Sequence, residues 1–137
     1  MNRLEEYISQ NGGKITMDMA YAISSLSILE AHSTLAAESV VKELRDQRQN
    51  LKLIASENYS SLSVQAAMGS LLTDKYSEGF PGHRFYAGCD NVDVIESAAV
   101  EKAKKVFGAD HAYVQPHSGA DANLCAYWAI LNQRVQI

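Results

Sequence analysis

Apolar residues recur at spacings of three and four through the first fifty positions, at Ile15, Met19, Ala22, Ile23 and Leu26 and then at Leu35, Val40, Val41 and Leu44. That period predicts helix with one face turned inward. Gly12-Gly13 closes off a leading segment, and His32-Ser33-Thr34 offers capping hydroxyls, so two helices joined there are expected rather than one long one. After Asn50 a short apolar stretch, Leu51 to Ala55, precedes the polar Ser56-Glu57-Asn58, and a helical period resumes from Ser60 to Tyr76 through Val64, Ala67, Met68 and Leu71.

The pattern then breaks. Between Tyr76 and Cys89 stand Gly79, Gly82, Gly88, Pro81 and the rings of Tyr76, Phe80, Phe85 and Tyr86, a mixture that excludes helix and regular strand and is too aromatic for a simple surface loop. The next helix is the clearest: Asp90 as N-cap with Asp93 three residues on, an apolar face of Val92, Ile95, Ala99, Ala103 and Val106, lysines at its end and Gly108 beyond. His111 to Gln115 reads as a short strand stopped by Pro116. Ser118 opens a last helix that is apolar nearly all round from Leu124 to Leu131, which expects protein on several sides.

Composition narrows the class. The 137 residues amount to one domain's worth, and 47% hydrophobic with 20% charged residues excludes a disordered or fibrous chain. With a net charge of −4 and basic residues scattered apart from Lys102, Lys104 and Lys105, there is no track for a phosphate backbone, so no nucleic-acid partner is expected. The run Leu124–Leu131 is far short of the ~20 residues of a membrane helix, and Glu5 and Glu6 stand where a signal peptide needs a basic patch. Cys89 and Cys125 form no CxxC pair, so a reduced, cytoplasmic protein without membrane association is expected.

Three stretches could carry chemistry. In Gln115-Pro116-His117-Ser118-Gly119-Ala120-Asp121 a helix begins with a hydroxyl and two small residues, which offers free N–H groups and the positive dipole end to an anion. Equally, Ser118 is an ordinary N-cap with Asp121 as its capping-box partner. In Lys75 to Tyr86, Glu78 sits among rings, a setting whose desolvation suits proton transfer near neutrality; the alternative is a solvated ion pair with Lys75 or Arg84. Ser56-Glu57-Asn58 is either a capped turn or part of a binding site. The histidines at 32, 83, 111 and 117 lack the spacing and cysteine company of a zinc site, and Ser118 lies in no GxSxG elbow, so no metal is expected.

Taken together, Leu53-Ile54-Ala55-Ser56-Glu57-Asn58-Tyr59, the stretch Thr73-Asp74-Lys75-Tyr76-Ser77-Glu78-Gly79-Phe80-Pro81-Gly82-His83-Arg84-Phe85-Tyr86-Ala87-Gly88-Cys89, and Val114-Gln115-Pro116-His117-Ser118-Gly119-Ala120-Asp121-Ala122-Asn123 resemble serine hydroxymethyltransferase in order and spacing. The likeness runs from about Leu51 to Leu131 and covers the first fifty residues less. It implies a pyridoxal 5'-phosphate enzyme moving a one-carbon unit between serine and tetrahydrofolate, with an α/β fold of the aspartate-aminotransferase type (fold type I) and a homodimeric parent. Residues 1–50 would then form a helical arm, and 51–137 the start of the cofactor-binding large domain, with an inter-subunit loop at 75–90 and a phosphate turn at 115–121. This stretch itself would be mostly α with one strand near 111–115.

By the same resemblance, Ser118, Gly119 and Ala120 match the turn that holds the cofactor phosphate, and Tyr76 the tyrosine that reaches the phosphate in the partner subunit. Glu78 matches the glutamate beside the substrate hydroxyl and folate, a candidate proton carrier that again acts across the dimer interface, Tyr86 a tyrosine next to the reacting cofactor, and Ser56 a serine near the substrate carboxylate. Phe85 stands where the pattern has the first of two tyrosines, His83 replaces a common lysine, and Ala87 a common glycine. No lysine among positions 14, 42, 52, 75, 102, 104 and 105 follows the threonines and histidine that precede the family's Schiff-base lysine. The chain therefore resembles the amino-terminal part of a longer enzyme and is expected to be inactive alone. A stand-alone helical interaction module, or a fold type I aldolase or transaminase, is the alternative.

Overall fold

Thr16 opens the first long helix by accepting the Met19 N–H on its side-chain oxygen at 3.3 Å, which satisfies one of the donors a helix start leaves over. The computed structural model describes residues 3–131. They form two units, one up to Ala67 and one from Met68 on. In the first, α1 (Arg3–Gln10), α2 (Met17–His32) and α3 (Thr34–Gln49) pack in sequence order, α1 on α2 and α2 on α3. Ser33 is the predicted joint. Its N–H goes to the Leu29 carbonyl to end α2, and its side-chain oxygen accepts the Ala36 N–H at 3.2 Å to begin α3.

The seam of this unit is built from half-buried Ile15, Ala22, Ile23 and Leu26 with buried Ala37, where the small side chain lets two helices approach closely. Arg3 forks onto Glu30, with Nε to Oε2 at 2.6 Å and Nη2 to Oε1 at 2.7 Å, and so ties α1 to the far end of α2. That pairing holds the Glu30 carboxyl below its usual range. The predicted inward face is only partly covered. Met19, Leu35, Val40 and Leu44 are exposed, because among the described residues α2 is the main neighbour of α3 and reaches one side of it.

The helix expected over Ser60–Tyr76 is shorter: α4 covers Leu62–Met68, and after Gly69-Ser70 a single 3-10 turn, Leu71–Asp74, carries the chain on. Ser70 starts that turn by accepting the Leu72 N–H, a local competition that ends the longer period.

In the second unit, the segment predicted to exclude regular strand holds a miniature hairpin, β1 (Gly79–Phe80) against β2 (His83–Arg84), with Gly79 opposite Arg84 and Phe80 opposite His83. Pro81 and Gly82, the latter at φ 74°, supply the turn. Helix α5 (Asp90–Phe107) ends as expected on Gly108 at φ 63°. Its N-cap is Cys89, without a side-chain hydrogen bond, rather than Asp90, since Asp93 is engaged elsewhere. The stripe of α5 that the described residues cover runs through Val92, Asp93, Glu96, Val100 and Ala103; Ile95 and Val106 of the predicted apolar face are exposed.

Residues 111–115 form no strand. A strand is defined by its ladder, and among the described residues no neighbour offers His111–Gln115 one. Helix α6 (Gly119–Ile130) starts at Ser118 as predicted and is exposed throughout, Trp128 at 65% and Ile130 at 80%. Among the described residues only Ala37 and Cys89 are buried.

Candidate functional site

The hairpin exists because Gly79 permits it. Its φ is 101°, and a Cβ there would collide with the His83 carbonyl oxygen across the strand pair. The Phe85 N–H closes the ladder onto the Glu78 carbonyl at 3.2 Å. Arg84 then fastens the hairpin to α5. Its side chain is 5% exposed and spends its donors on four oxygens: Asp93 Oδ1 at 2.7 Å, Glu96 Oε2 at 2.6 Å, and the carbonyls of Ser77 at 2.5 Å and Gly79 at 3.0 Å. Asp93 and Glu96, three apart, share one helix face, so one guanidinium meets both. Glu96 and then Asp93 hold the guanidinium even more firmly protonated than usual. Asp93 in turn accepts the Gly82 N–H at 2.9 Å, and that bond, followed by Arg84, keeps its carboxyl below the usual range.

Two further ties converge on this loop. The Glu78 N–H donates to Tyr86 Oη at 3.0 Å, which brings two of the sequence-predicted site residues into direct contact and leaves the phenol proton free to be donated. The Cys89 thiol, buried beneath them, lies 3.6 Å from the Tyr76 carbonyl and 3.8 Å from that of Tyr86. Glu78 makes no ion pair with Arg84, whose charge is taken by Asp93 and Glu96. Its side chain is exposed, so the desolvation anticipated from the surrounding rings is not supplied by the described residues. Tyr76, 80% exposed, and Phe85, 81% exposed, point away from the loop's interior.

At the phosphate-type turn, Ser118 Oγ accepts the Asp121 N–H at 3.1 Å and its carbonyl accepts the Ala122 N–H. This is half of a capping box; Asp121 returns no bond to Ser118. Gly119 and Ala120 keep backbone N–H groups without a partner among the described residues, and nothing stands within 4 Å of where a Gly119 Cβ would be. With the serine hydroxyl proton these make a donor set open to an anion the size of a phosphate.

Ser56 belongs to the first unit. There the Glu57 N–H to Ile54 carbonyl bond closes a turn, and Ser56 lines a cleft of about 400 Å³ with Gln47, Lys52, Glu57, Asn58 and Tyr59. Lys52 sits between Glu43 at 3.0 Å and Glu57 at 3.7 Å. The residues that sequence reasoning missed are the fasteners. Asp93 and Glu96 carried a signal in their helical spacing; Gln115, which donates Nε2 to the Gly79 carbonyl at 2.8 Å and to Glu96 Oε1 at 2.6 Å, carried none.

Residues 29–137 match the family model described as serine hydroxymethyltransferase, a span that begins upstream of the motifs themselves. Among curated proteins, the chain is 61% identical over 115 residues to a serine hydroxymethyltransferase of Treponema pallidum, 84% of this chain and 20% of that protein. It is 56% identical over 121 residues to one of Mycolicibacterium smegmatis, 88% of this chain and 24% of that protein. A third, from Chlamydia trachomatis, is 52% identical over 136 residues, 99% of this chain and 27% of that protein, so its likeness includes the residues before position 29. The chain spans about a fifth to a quarter of the length of these curated relatives.

Proposed function

The chain belongs to the serine hydroxymethyltransferase family, and from that premise we propose that the protein carrying it is a cytoplasmic, homodimeric enzyme that transfers a one-carbon unit between serine and tetrahydrofolate with pyridoxal 5'-phosphate. Within the geometry, the observation that best supports this reading is the contact between Glu78 and Tyr86, in which the Glu78 backbone N–H donates to the Tyr86 hydroxyl and leaves the phenol its proton to give. Two residues whose side chains can exchange protons with a substrate hydroxyl are thereby tied together on one loop.

Ser118, Gly119 and Ala120 bind the cofactor phosphate; their free N–H groups, the hydroxyl and the open space at Gly119 fit it. Pyridoxal phosphate, when bound, supplies the electron sink that carbon–carbon cleavage of serine requires. Tyr76 donates its phenol to the phosphate in the partner subunit, which its exposure allows. Glu78, across the dimer interface, takes or returns the proton of the substrate hydroxyl, Tyr86 stands next to the reacting cofactor, and Ser56 holds the substrate carboxylate. The 137 residues by themselves are expected not to turn over serine, because none of their seven lysines has the threonine and histidine context of the cofactor-carrying one. No described helix is long and apolar enough to cross a membrane.

The test is folate-dependent cleavage of serine by the full-length gene product. Glu78→Gln should abolish it while cofactor uptake, followed by absorbance, is retained. Turnover indifferent to folate would favour an aldolase or transaminase of the same fold, and parental activity in the variant would remove Glu78 from its role.

A further inference from the structure

The Glu78 side chain is exposed and makes no hydrogen bond or ion pair with the described residues. Its direction is therefore set by the backbone. A peptide group is planar, so holding the two planes that meet at a Cα fixes where its Cβ points. The plane before Glu78 is held at both ends: the Ser77 carbonyl accepts Arg84 Nη1 at 2.5 Å, and the Glu78 N–H donates to Tyr86 Oη at 3.0 Å. The plane after it is held where the Glu78 carbonyl accepts the Phe85 N–H at 3.2 Å. Of the three groups that do this, one is backbone and one, Tyr86, already belongs to the site. Arg84 is the third. Asp93 takes its Nε and Glu96 its Nη2, both from α5, and the rigid fork then aims Nη1 at the loop.

We infer that Arg84 is a positioning residue for the proton step: through the Ser77 carbonyl it sets the direction in which Glu78 is presented to the partner subunit's site. Its own side chain, 5% exposed, reaches neither substrate nor cofactor. The inference rests on the functional reading above for what Glu78 meets, though not for the bonds that aim it. A lysine in place of Arg84 keeps a cation between Asp93 and Glu96 but is a single ammonium on a flexible stem. Spent on the two carboxylates, it leaves the Ser77 carbonyl without its donor.

The experiment uses the full-length gene product. In Arg84→Lys, exchange of the Glu78 amide should quicken about tenfold. Folate-dependent serine cleavage should fall at least about tenfold in kcat, with the KM for serine within about threefold and cofactor uptake within about twofold of the parent. Mixed dimers, each chain carrying its own affinity tag, separate aiming from general damage. A chain with both Glu78→Gln and Arg84→Lys, paired with a parental chain, should keep about half the parental rate, because the site that the parental Glu78 serves is whole. Arg84→Lys on one chain and Glu78→Gln on the other should leave less than about a tenth, because neither site receives a well-placed carboxylate. Unchanged Glu78 exchange in Arg84→Lys overturns the inference. Near-complete loss in the first mixed dimer overturns it too, since Arg84 would then be needed by the cofactor site of its own chain. If Arg84→Lys does not fold, Glu96→Gln, which removes the charge that holds Nη2, takes its place; exchange and kcat should each change at least about threefold, and parental values of either overturn the inference equally. Absence of folate-dependent turnover in the parent, with exchange responding as stated, would instead count against the functional reading alone.

Discussion

Asp93 divides its carboxylate between backbone and side chain: Oδ2 accepts the Gly82 N–H at 2.9 Å and Oδ1 accepts Arg84 Nε at 2.7 Å. The turn of the hairpin and its anchoring arginine thus hang on one residue of α5. Both bonds favour the charged form, so the carboxyl lies below the usual range, the Gly82 N–H contributing most. A carboxyl depressed in the folded state contributes order that is complete above its ordinary value near 3.9 and is lost as pH falls through the lower folded value. The Gly82 amide proton resonance, followed by NMR from neutral pH downward, should stay constant through the usual aspartate range and shift only below it. A midpoint at or above an ordinary aspartate's would contradict the pairing. Asp93→Asn, which can no longer accept on both atoms, should remove the transition and quicken exchange at Gly82.

Gly79 permits a test of the hairpin itself. Gly79→Ala demands a positive φ that costs about 1–3 kcal/mol for a residue with a Cβ, and adds the collision with the His83 carbonyl. The expected result is loss of the β1–β2 pairing, seen as loss of the slow exchange of the Phe85 amide, together with at least a tenfold loss of serine turnover. Gly82→Ala meets no such obstacle, since nothing lies within 4 Å of its added carbon, and carries only the positive-φ cost. Equal damage from both substitutions would show that φ alone, and not the cross-strand collision, decides.

Ser118 separates capping from anion binding. Ser118→Ala loses a cap worth about 1 kcal/mol and the hydroxyl together, so its effect is ambiguous. Ser118→Asp caps α6 as well as serine does but presents a negative charge to the phosphate. It should leave thermal unfolding of the full-length protein within a few degrees while weakening pyridoxal phosphate binding at least tenfold, measured by equilibrium titration. Parental affinity in Ser118→Asp would refute an anion at this turn.

The helices were legible where capping and periodicity act locally: Ser33 between α2 and α3, Gly108 after α5 and Ser118 before α6 each form the joint that the sequence implied. What was illegible depends on distant partners. His111–Gln115 has strand composition but no neighbour among the described residues, and composition cannot supply one. Asp90 and Asp93 looked like a cap because local rules see only the helix start, whereas Arg84, nine residues earlier than Asp93, recruits that carboxylate for the hairpin. Glu78 looked like the partner of Arg84 for the same reason, six residues being closer than twelve; the guanidinium chose Glu96 because α5 presents it and Asp93 on one face. The family motifs, by contrast, were legible in full, since they are words of the sequence and need no geometry to be read.

The contact between Glu78 and Tyr86 distinguishes a tyrosine that merely lines a site from one that also builds it. The Tyr86 hydroxyl accepts the Glu78 N–H at 3.0 Å, and Tyr86→Phe removes that acceptor while keeping the ring. A hydrogen bond of this kind contributes about 0.5–1.5 kcal/mol, so exchange of the Glu78 amide should quicken roughly threefold to tenfold, a factor of ten corresponding to about 1.4 kcal/mol. If Tyr86 served only to touch substrate, that amide would not respond. On the proposed function, serine turnover in Tyr86→Phe should fall more than the exchange rate rises, because the variant loses both the placement of Glu78 and the free phenol proton. A loss of turnover no larger than the change in exchange would assign Tyr86 to the loop alone and leave Glu78 as the residue that handles the proton.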